Sequence, residues 1–534
     1  MYDVWSRNIR DNVGLVQQNA GPAVAIVVSG SESDQAYWGE HFCRTSGDVF
    51  RQDGSTYVAS VYERFLRGNF LGTLNAWAEA LPGIAASEIQ LPDVALMSMV
   101  FGKGKRLSPF TQALGNRKPA FPTPMKAPQS GVFLRTVDLA NLSANSWIRH
   151  LAKSGFRGMI VKWGDEAVIP GVEWDTEARD LSKVDAVRFV WQTEITEDLA
   201  REKEWVVTDS ATGLMRFQFS RQAQDTLRSR IADLGNDVQV GVNLGSLAIS
   251  YTFLETALEV LGDDVLDPIK WTNWDPYAWI ALCCQDEGQW RAEAAHEEQL
   301  GRTGMRELEA RYPDFYPKLA RLRNALESKT GRPLAIGVLD FGETFWADLG
   351  LHQTLRETMD ALTTESDRGR ATRELFGIPH DRDKNGNIIV RSSISPSADI
   401  RDSVLVDSVI LDQDSVLRRG VVVGGRHDWL SMPYGGCALF CAADRLEFKG
   451  PHGVAFRSIG SEIAVAEGGR HTSFLLPDGP EDMVSNESVL DYSGDNYAKP
   501  ILGNPLSFED AGAIMSGLDA RDLEERWLRA WQGR

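Results

Sequence analysis

Apolar and polar positions alternate along this chain in distinct regimes. Up to about residue 380, short apolar runs recur, each followed by a polar or glycine-containing loop and helix-spaced apolar positions. That is the pattern of strands buried on both faces with helices packed over them, an α/β arrangement. The runs that predict strands cover residues 23–28, 94–100, 159–161, 185–191, 205–207, 214–219, 242–250 and 334–339. Helices are predicted over the first twenty residues, where Trp5 and Ile9 share a face, and from Gly68, where Leu74, Trp77 and Leu81 do. A third helical stretch covers residues 287–329, rich in Glu, Ala, Leu and Arg.

From Ile394 the texture changes to ISPSAD, IRDSVL, VDSVIL, DQDSVL, RRGVVV. Small or branched residues return every sixth position at Ala398, Val404, Ile410, Val416 and Val422, with Ile394, Ile400 and Val406 as a second series. A period of six predicts a left-handed parallel β-helix. Five hexads make fewer than two coils, so other structure must cap them. Beyond residue 426, strand-like pieces at 436–440, 462–465 and 473–476 precede a terminal amphipathic helix carrying Leu523, Trp527, Leu528 and Trp531. The expected division is 1–380, 388–425 and 426–534.

A formal net charge of −19 argues against nucleic acid or an anionic membrane as partner. It also makes any locally basic loop stand out. Five cysteines (Cys43, Cys283, Cys284, Cys437, Cys441), odd in number and unevenly spaced, fit a reducing compartment better than a disulfide framework. Cys437 and Cys441 near His427 and His452 lack a zinc-finger spacing and read as buried thiols. No targeting or membrane segment is visible, so a cytoplasmic enzyme is expected.

The basic loop is at 102–106. After the run 94–100, Phe101 leads into Gly102-Lys103-Gly104-Lys105-Arg106-Leu107-Ser108-Pro109-Phe110-Thr111, and Lys118-Pro119 follows. Two glycines one residue apart let backbone N–H groups approach an anion, and three cations fall within four residues. Strand, glycine-rich basic loop and later lysine make a polyphosphate cradle. At the end of the run 159–161, Gly164-Asp165 puts a carboxylate where open parallel sheets bind ligands.

The series Gly-x-Gly-x-Arg-Leu-x-Pro-Phe-Thr followed by Lys-Pro resembles the signature of sugar-1-phosphate nucleotidyltransferases, the nucleotide-sugar pyrophosphorylases. Further motifs follow in that family's order: Gly164-Asp165, Val242-Asn243-Leu244-Gly245 and Trp346-Ala347-Asp348-Leu349-Gly350. The resemblance implies a Rossmann-like mixed sheet of the GT-A-like type, often followed by a hexapeptide repeat. It implies that Gly102, Lys103, Gly104 and Lys105 hold a nucleoside triphosphate and that Arg106 and Lys118 act on its phosphates. Asp165 and Asp348 would bind Mg²⁺, and Asn243 and Gly245 would line a sugar pocket. The partners implied are a nucleoside triphosphate and a sugar-1-phosphate, and the repeat or the C-terminal part offers a surface for self-association.

The chain departs from the family pattern at three places. Phe101 stands for the first glycine, Phe110 for the usual leucine, and Phe219-Ser220-Arg221 where many members have Glu-Lys-Pro. Arg221 is the candidate to replace that lysine as a phosphate clamp. A strand and helices precede the signature, with Gly68-Asn69-Phe70-Leu71-Gly72-Thr73-Leu74 among them. That order resembles the fucose-1-phosphate guanylyltransferase branch and makes guanosine triphosphate the first base to test. The alternatives are a catalytically inactive homologue of the same fold and a hexapeptide-repeat acyltransferase, for which His427 is the histidine at hand.

Overall fold

The structure is a computed structural model and describes residues 1–63, 68–174, 179–266, 275–476, 479–486 and 495–533. Val94–Met99 forms a strand with all six residues buried. Val24–Ser29 and Gly158–Trp163 flank it in parallel, with Ala25 opposite Leu96 and Leu96 opposite Ile160. Tyr57–Tyr62 adds a parallel edge strand. These strands are apolar at consecutive positions because helices cover both faces. Leu96 and Ile160 share a core with Trp5, Trp38 and Trp147 from the helices Tyr2–Gln17, Glu32–Val49 and Asn145–Lys153. Met97 and Val161 share the opposite core with Leu74 and Phe253 from Gly68–Ala86 and Tyr251–Leu266.

One long strand then turns this parallel sheet into a mixed one. Val238–Ser250 is antiparallel to Gly158–Trp163 through its second half, with Leu247 opposite Val161. Through its first half it pairs with Trp205–Asp209, with Val242 opposite Trp205. Met215–Phe219 joins Trp205–Asp209, and Ala186–Gln192 lies along the other side, followed by Ile336–Asp340 in a nine-stranded sheet. The register breaks between Asn243 and Leu247. Gly158–Trp163 ends there and Trp205–Asp209 takes its place, so the sheet continues past the carboxyl ends of the parallel strands. The predicted helical stretch 287–329 is three helices, Glu287–Gln299, Gly304–Arg311 and Phe315–Thr330.

The repeat is longer than its period-six texture indicates. Ile388–Val390, Val404–Val406, Gly420–Val423, Gly436–Leu439, Val454–Phe456 and Gly469–Leu476 form one parallel ladder. Its partners step from Ile388 to Val404, Val421, Cys437, Val454 and Arg470, alternating advances of 16 and 17 residues. A second parallel ladder takes Ser393–Ile394, Val409–Ile410, Arg426–Met432, Ala442–Phe448 and Ile459–Val465. The parallel pairing therefore runs to Thr472 rather than stopping at 425. Three hexads would advance 18, so a six-residue pattern loses phase here. Left-handed backbone returns after each of the first five strands of the first ladder, at Arg391, Asp407, Gly424, Phe440 and Arg457. Four of these five corners are not glycine, which hid them from a reading that looks for glycine and asparagine.

The first ladder is buried on both sides. Leu405, Val422, Ala438 and Ala455 face the interior of the repeat. Val404, Val406, Val423, Leu439 and Phe456 join the core of the α/β part. No described helix is long and apolar enough to cross a membrane.

The terminal helix Ala520–Gln532 docks by Trp527, which is 6% exposed, and by Glu524. Glu524 lies 2.7 Å from Arg457 and 3.8 Å from Arg135. Burial alone would raise the Glu524 pKa, but Arg457 and Arg135 hold it at about 2, against 4.5 for a free glutamate. A carboxylate depressed in the fold stabilises it above about pH 4.5, and that contribution is lost as pH falls towards about 2. Glu524→Gln is expected to cost ~1–2 kcal/mol at pH 7, allowing for solvent screening of a side chain about one-third exposed. Urea midpoints should show the gap to wild type narrowing steadily as pH falls from 4.5 towards about 2; a gap of constant size would mean that the arginines do not hold this carboxylate.

Candidate active site

Phe101 packs edge-on against Trp163 at 6.3 Å, and the chain then turns through Gly102 (φ +107°) and Gly104 (φ +60°). Both values are left-handed, which favours glycine. At Gly104 space decides as well, since a Cβ would stand 2.6 Å from Thr111 Cγ2 and 2.9 Å from Lys118 Cβ. Thr111 Oγ1 donates to the Gly104 carbonyl at 2.8 Å and closes the loop. A single 3-10 turn, Lys105–Leu107, holds Arg106 exposed, with no hydrogen bond or ion pair among the described residues.

The loop is braced from behind. His352 Nε2 donates to the Ser108 carbonyl at 2.6 Å, and Arg470 Nε donates to His352 Nδ1 at 3.1 Å. Burial, helped by Arg470, holds His352 at about 3, so the imidazole is neutral with its proton on Nε2. Phe110, one of the departures from the resembled pattern, reaches Phe456 of the first ladder at 5.5 Å. That departure is a docking contact between loop and repeat.

A two-stranded ribbon brings the acids to this loop. Glu166–Ile169 pairs antiparallel with Phe345–Asp348, Asp348 opposite Glu166, and the Leu349 N–H donates to the Asp165 carbonyl at 3.1 Å. Asp165 and Asp348, remote in sequence, thus sit side by side just beyond Trp163. The Lys118 ammonium forms an ion pair with Asp165 Oδ2. Burial would lower the Lys118 pKa, but Asp165 and then Asp348 outweigh it and the net shift is upward. Asp348 accepts from the Gly350 N–H at 2.9 Å, and burial followed by the Asp165 charge pushes its pKa up. Glu166 is pushed up for the same reasons, with Asp348 adding to Asp165.

Gly350 lies against the ion pair, and a Cβ there would overlap Lys118 Cε and Asp165 Oδ2. Both neighbours are side-chain ends, so Gly350→Ala should keep the fold and shift the pair. For the transfer that the resemblance implies, a rate lower by about 10- to 100-fold is expected, with the melting temperature within a few degrees of wild type. An unaltered rate would detach the Lys118–Asp165 geometry from the chemistry.

Asn243 and Gly245, the residues expected to line a sugar pocket, adjoin this cluster through Trp163. Gly245 sits in the register break at φ +79°, where a Cβ would come 3.3 Å from the Trp163 indole nitrogen. Asn243 Nδ2 donates to Glu204 at 3.0 Å and its Oδ1 accepts from the Gly245 N–H at 3.3 Å. Gln218 also donates to Glu204 at 3.0 Å.

The other predicted residues are placed differently. Lys103 and Lys105 turn towards the C-terminal segment, Lys103 to 3.5 Å from Glu509 and Lys105 over the Tyr497 ring at 4.6 Å. Arg221 is exposed just beyond Met215–Phe219, with no described partner and no contact with the cluster. The cysteines are free, and His427, the histidine named for the acyltransferase alternative, is fully enclosed.

Residue-type reasoning missed Lys162, Glu166, Glu204 and Arg188. Lys162 is 1% exposed, without a hydrogen-bond partner for its ammonium, which lies 4.4 Å over the Trp147 ring. Burial pushes its pKa down, against Glu166 and Asp165. Its signal was a lysine inside the apolar run MIVKW. Arg188 is 3% exposed and stacks over Trp279 at 4.6 Å, the only charged residue between Ala186 and Trp191.

Among the described residues no group of three or more His, Cys, Asp or Glu side chains has the geometry to hold a metal ion. Two crowded carboxylates do fit Mg²⁺, which takes one or two protein carboxylates and completes its shell with water and phosphate. Compared with family models and with curated proteins, the chain matches none.

Proposed function

We propose that this chain transfers a nucleotidyl group from a nucleoside triphosphate to a sugar-1-phosphate, releasing pyrophosphate. The observation that carries the reading is the convergence of Arg106, Lys118, Asp165 and Asp348 beside a glycine loop at the carboxyl ends of parallel strands. A sugar-1-phosphate is already an anionic nucleophile, so the reaction needs in-line positioning and charge neutralisation more than a general base. Gly102 and Gly104 present backbone N–H groups to the triphosphate, and Arg106 meets charge growing on the departing pyrophosphate. Lys118 exchanges its carboxylate partner for a phosphate oxygen. That exchange leaves Asp165 and Asp348 unneutralised, which calls for a cation. Mg²⁺ held by these two aspartates would supply Lewis-acid stabilisation of the phosphates. Asn243 and Gly245 receive the sugar. On the same reading the sheet is of the Rossmann-like, GT-A-like type, and residues 388–476 are a left-handed parallel β-helix.

The test is a screen of nucleoside triphosphates, guanosine triphosphate first, against a panel of sugar-1-phosphates with Mg²⁺, scored by pyrophosphate release. No release from any pair would favour the inactive homologue, a reading supported by the exposed, unengaged Arg221. Arg221→Ala carries its own expectation. If Arg221 closes on the sugar phosphate, the Michaelis constant for that substrate rises by about tenfold, the triphosphate constant holds, and Arg221→Lys recovers part of the loss. An unchanged constant returns Arg221 to the surface.

A further inference from the structure

A cavity of about 490 Å³ lies among the helix Glu32–Val49, residues 122–135, the corners of the repeat and the terminal helix, and none of its lining residues belongs to the signature loop. We propose that it binds a small organic anion, a phosphate ester with an apolar body. Its walls are aromatic, with Phe133, Phe440, Trp527 and Trp531 among the lining residues. Its charge is opposite to that of the molecule. Arg44, Lys126, Arg135 and Arg457 face only two lining carboxylates, Asp407 and Glu524, in a chain of net charge −19.

Both carboxylates are already engaged. Asp407 is held by Arg391 at 2.7 Å and Lys126 at 3.5 Å, and Glu524 by Arg457 and Arg135. What remains unmet in the lining is a set of donors. Arg457 is 7% and Trp527 6% exposed, yet Arg457 Nε and Trp527 Nε1 are buried with no acceptor, as is Trp531 Nε1. Arg44, at the exposed rim, makes no hydrogen bond or ion pair among the described residues. Buried donors without acceptors are costly; these three nitrogens are closed off from the cavity as they stand, and a small turn of their side chains towards an acceptor-rich ligand removes that cost. Oxyanion oxygens suit guanidinium and indole N–H groups, and an apolar body suits the aromatic walls. The site is independent of the proposed nucleotidyl transfer.

The probe is 1-naphthyl phosphate, titrated calorimetrically into the full chain beside inorganic phosphate and 1-naphthol. Saturable binding of one equivalent is expected, with each of the other two compounds at least about tenfold weaker. Arg44→Ala, a rim substitution that removes no internal contact, and Trp527→Phe, which deletes one N–H and keeps the wall, should each weaken it about fivefold or more. Arg106→Ala should leave it unchanged. The proposal is overturned by absence of saturable binding, by equal binding of 1-naphthol, by full affinity in both cavity variants, or by loss in Arg106→Ala, which would place the anion at the signature loop.

Discussion

On the proposed nucleotidyl transfer, Asp165→Asn is expected to reduce pyrophosphate release by about a thousandfold or more, equivalent to ~4 kcal/mol of transition-state stabilisation, and Asp348→Asn by the same order. The substitution keeps shape and removes charge, so the loss reports charge alone. Asp165 is 5% exposed and has two roles in the arrangement. It neutralises Lys118 before substrate arrives, and with Asp348 it forms the oxygen pair suited to Mg²⁺. The variant therefore loses the cation site and leaves Lys118 without its nearest counter-charge. Asp348→Asn loses only the first, since Asp348 affects Lys118 less than Asp165 does. Circular dichroism should match wild type in both. Full turnover in either variant, or wild-type turnover in excess chelator, removes the assignment of the two aspartates to a metal.

The central strands were readable because both sheet faces are covered, which makes each a continuous apolar run such as Val24–Ser29 or Val94–Met99, whereas the edge strand Tyr57–Tyr62, only half-buried, was not. The signature loop was readable because its geometry leaves little choice, as the crowding at Gly104 illustrates. Other features depended on partners far along the chain. Phe110 looked like a departure and is a contact with Phe456, which the sequence separates from it by most of the molecule. Lys162 and Glu166 looked like a strand end, and only the ribbon with Phe345–Asp348 makes them neighbours of a carboxylate pair. In the repeat, Val404 and Leu405 are both fully buried, one against the α/β core and one inside the ladders. A strand enclosed on both faces shows no alternation, so its inward phase was not legible. Corners at Phe440 and Arg457 hold left-handed backbone with residues that do not advertise it, so the strands expected at 436–440, 462–465 and 473–476 were not read as continuing the ladders.

Removing the two cations of the site should separate their roles. Arg106→Ala is expected to lower turnover by about 100-fold or more with thermal stability unchanged, since Arg106 is exposed and holds nothing else in place. Lys118→Ala is expected to cost at least as much in turnover and to have a second consequence. With the ammonium gone, Asp165, Asp348 and Glu166 lose the cation that moderates their mutual repulsion, so the pocket becomes a stronger cation trap. The Mg²⁺ concentration at half-maximal residual activity should fall in Lys118→Ala and hold in Arg106→Ala, because only Lys118 is paired to a carboxylate there. Lys118→Arg keeps the charge but not the fit beside Gly350, and should restore the metal dependence with little of the rate. If both alanine variants changed only the Michaelis constant for the sugar phosphate, the loop would belong to the sugar half of the site. If Lys118→Ala needed more Mg²⁺ than wild type, the lysine would be supporting the cation site rather than competing for it.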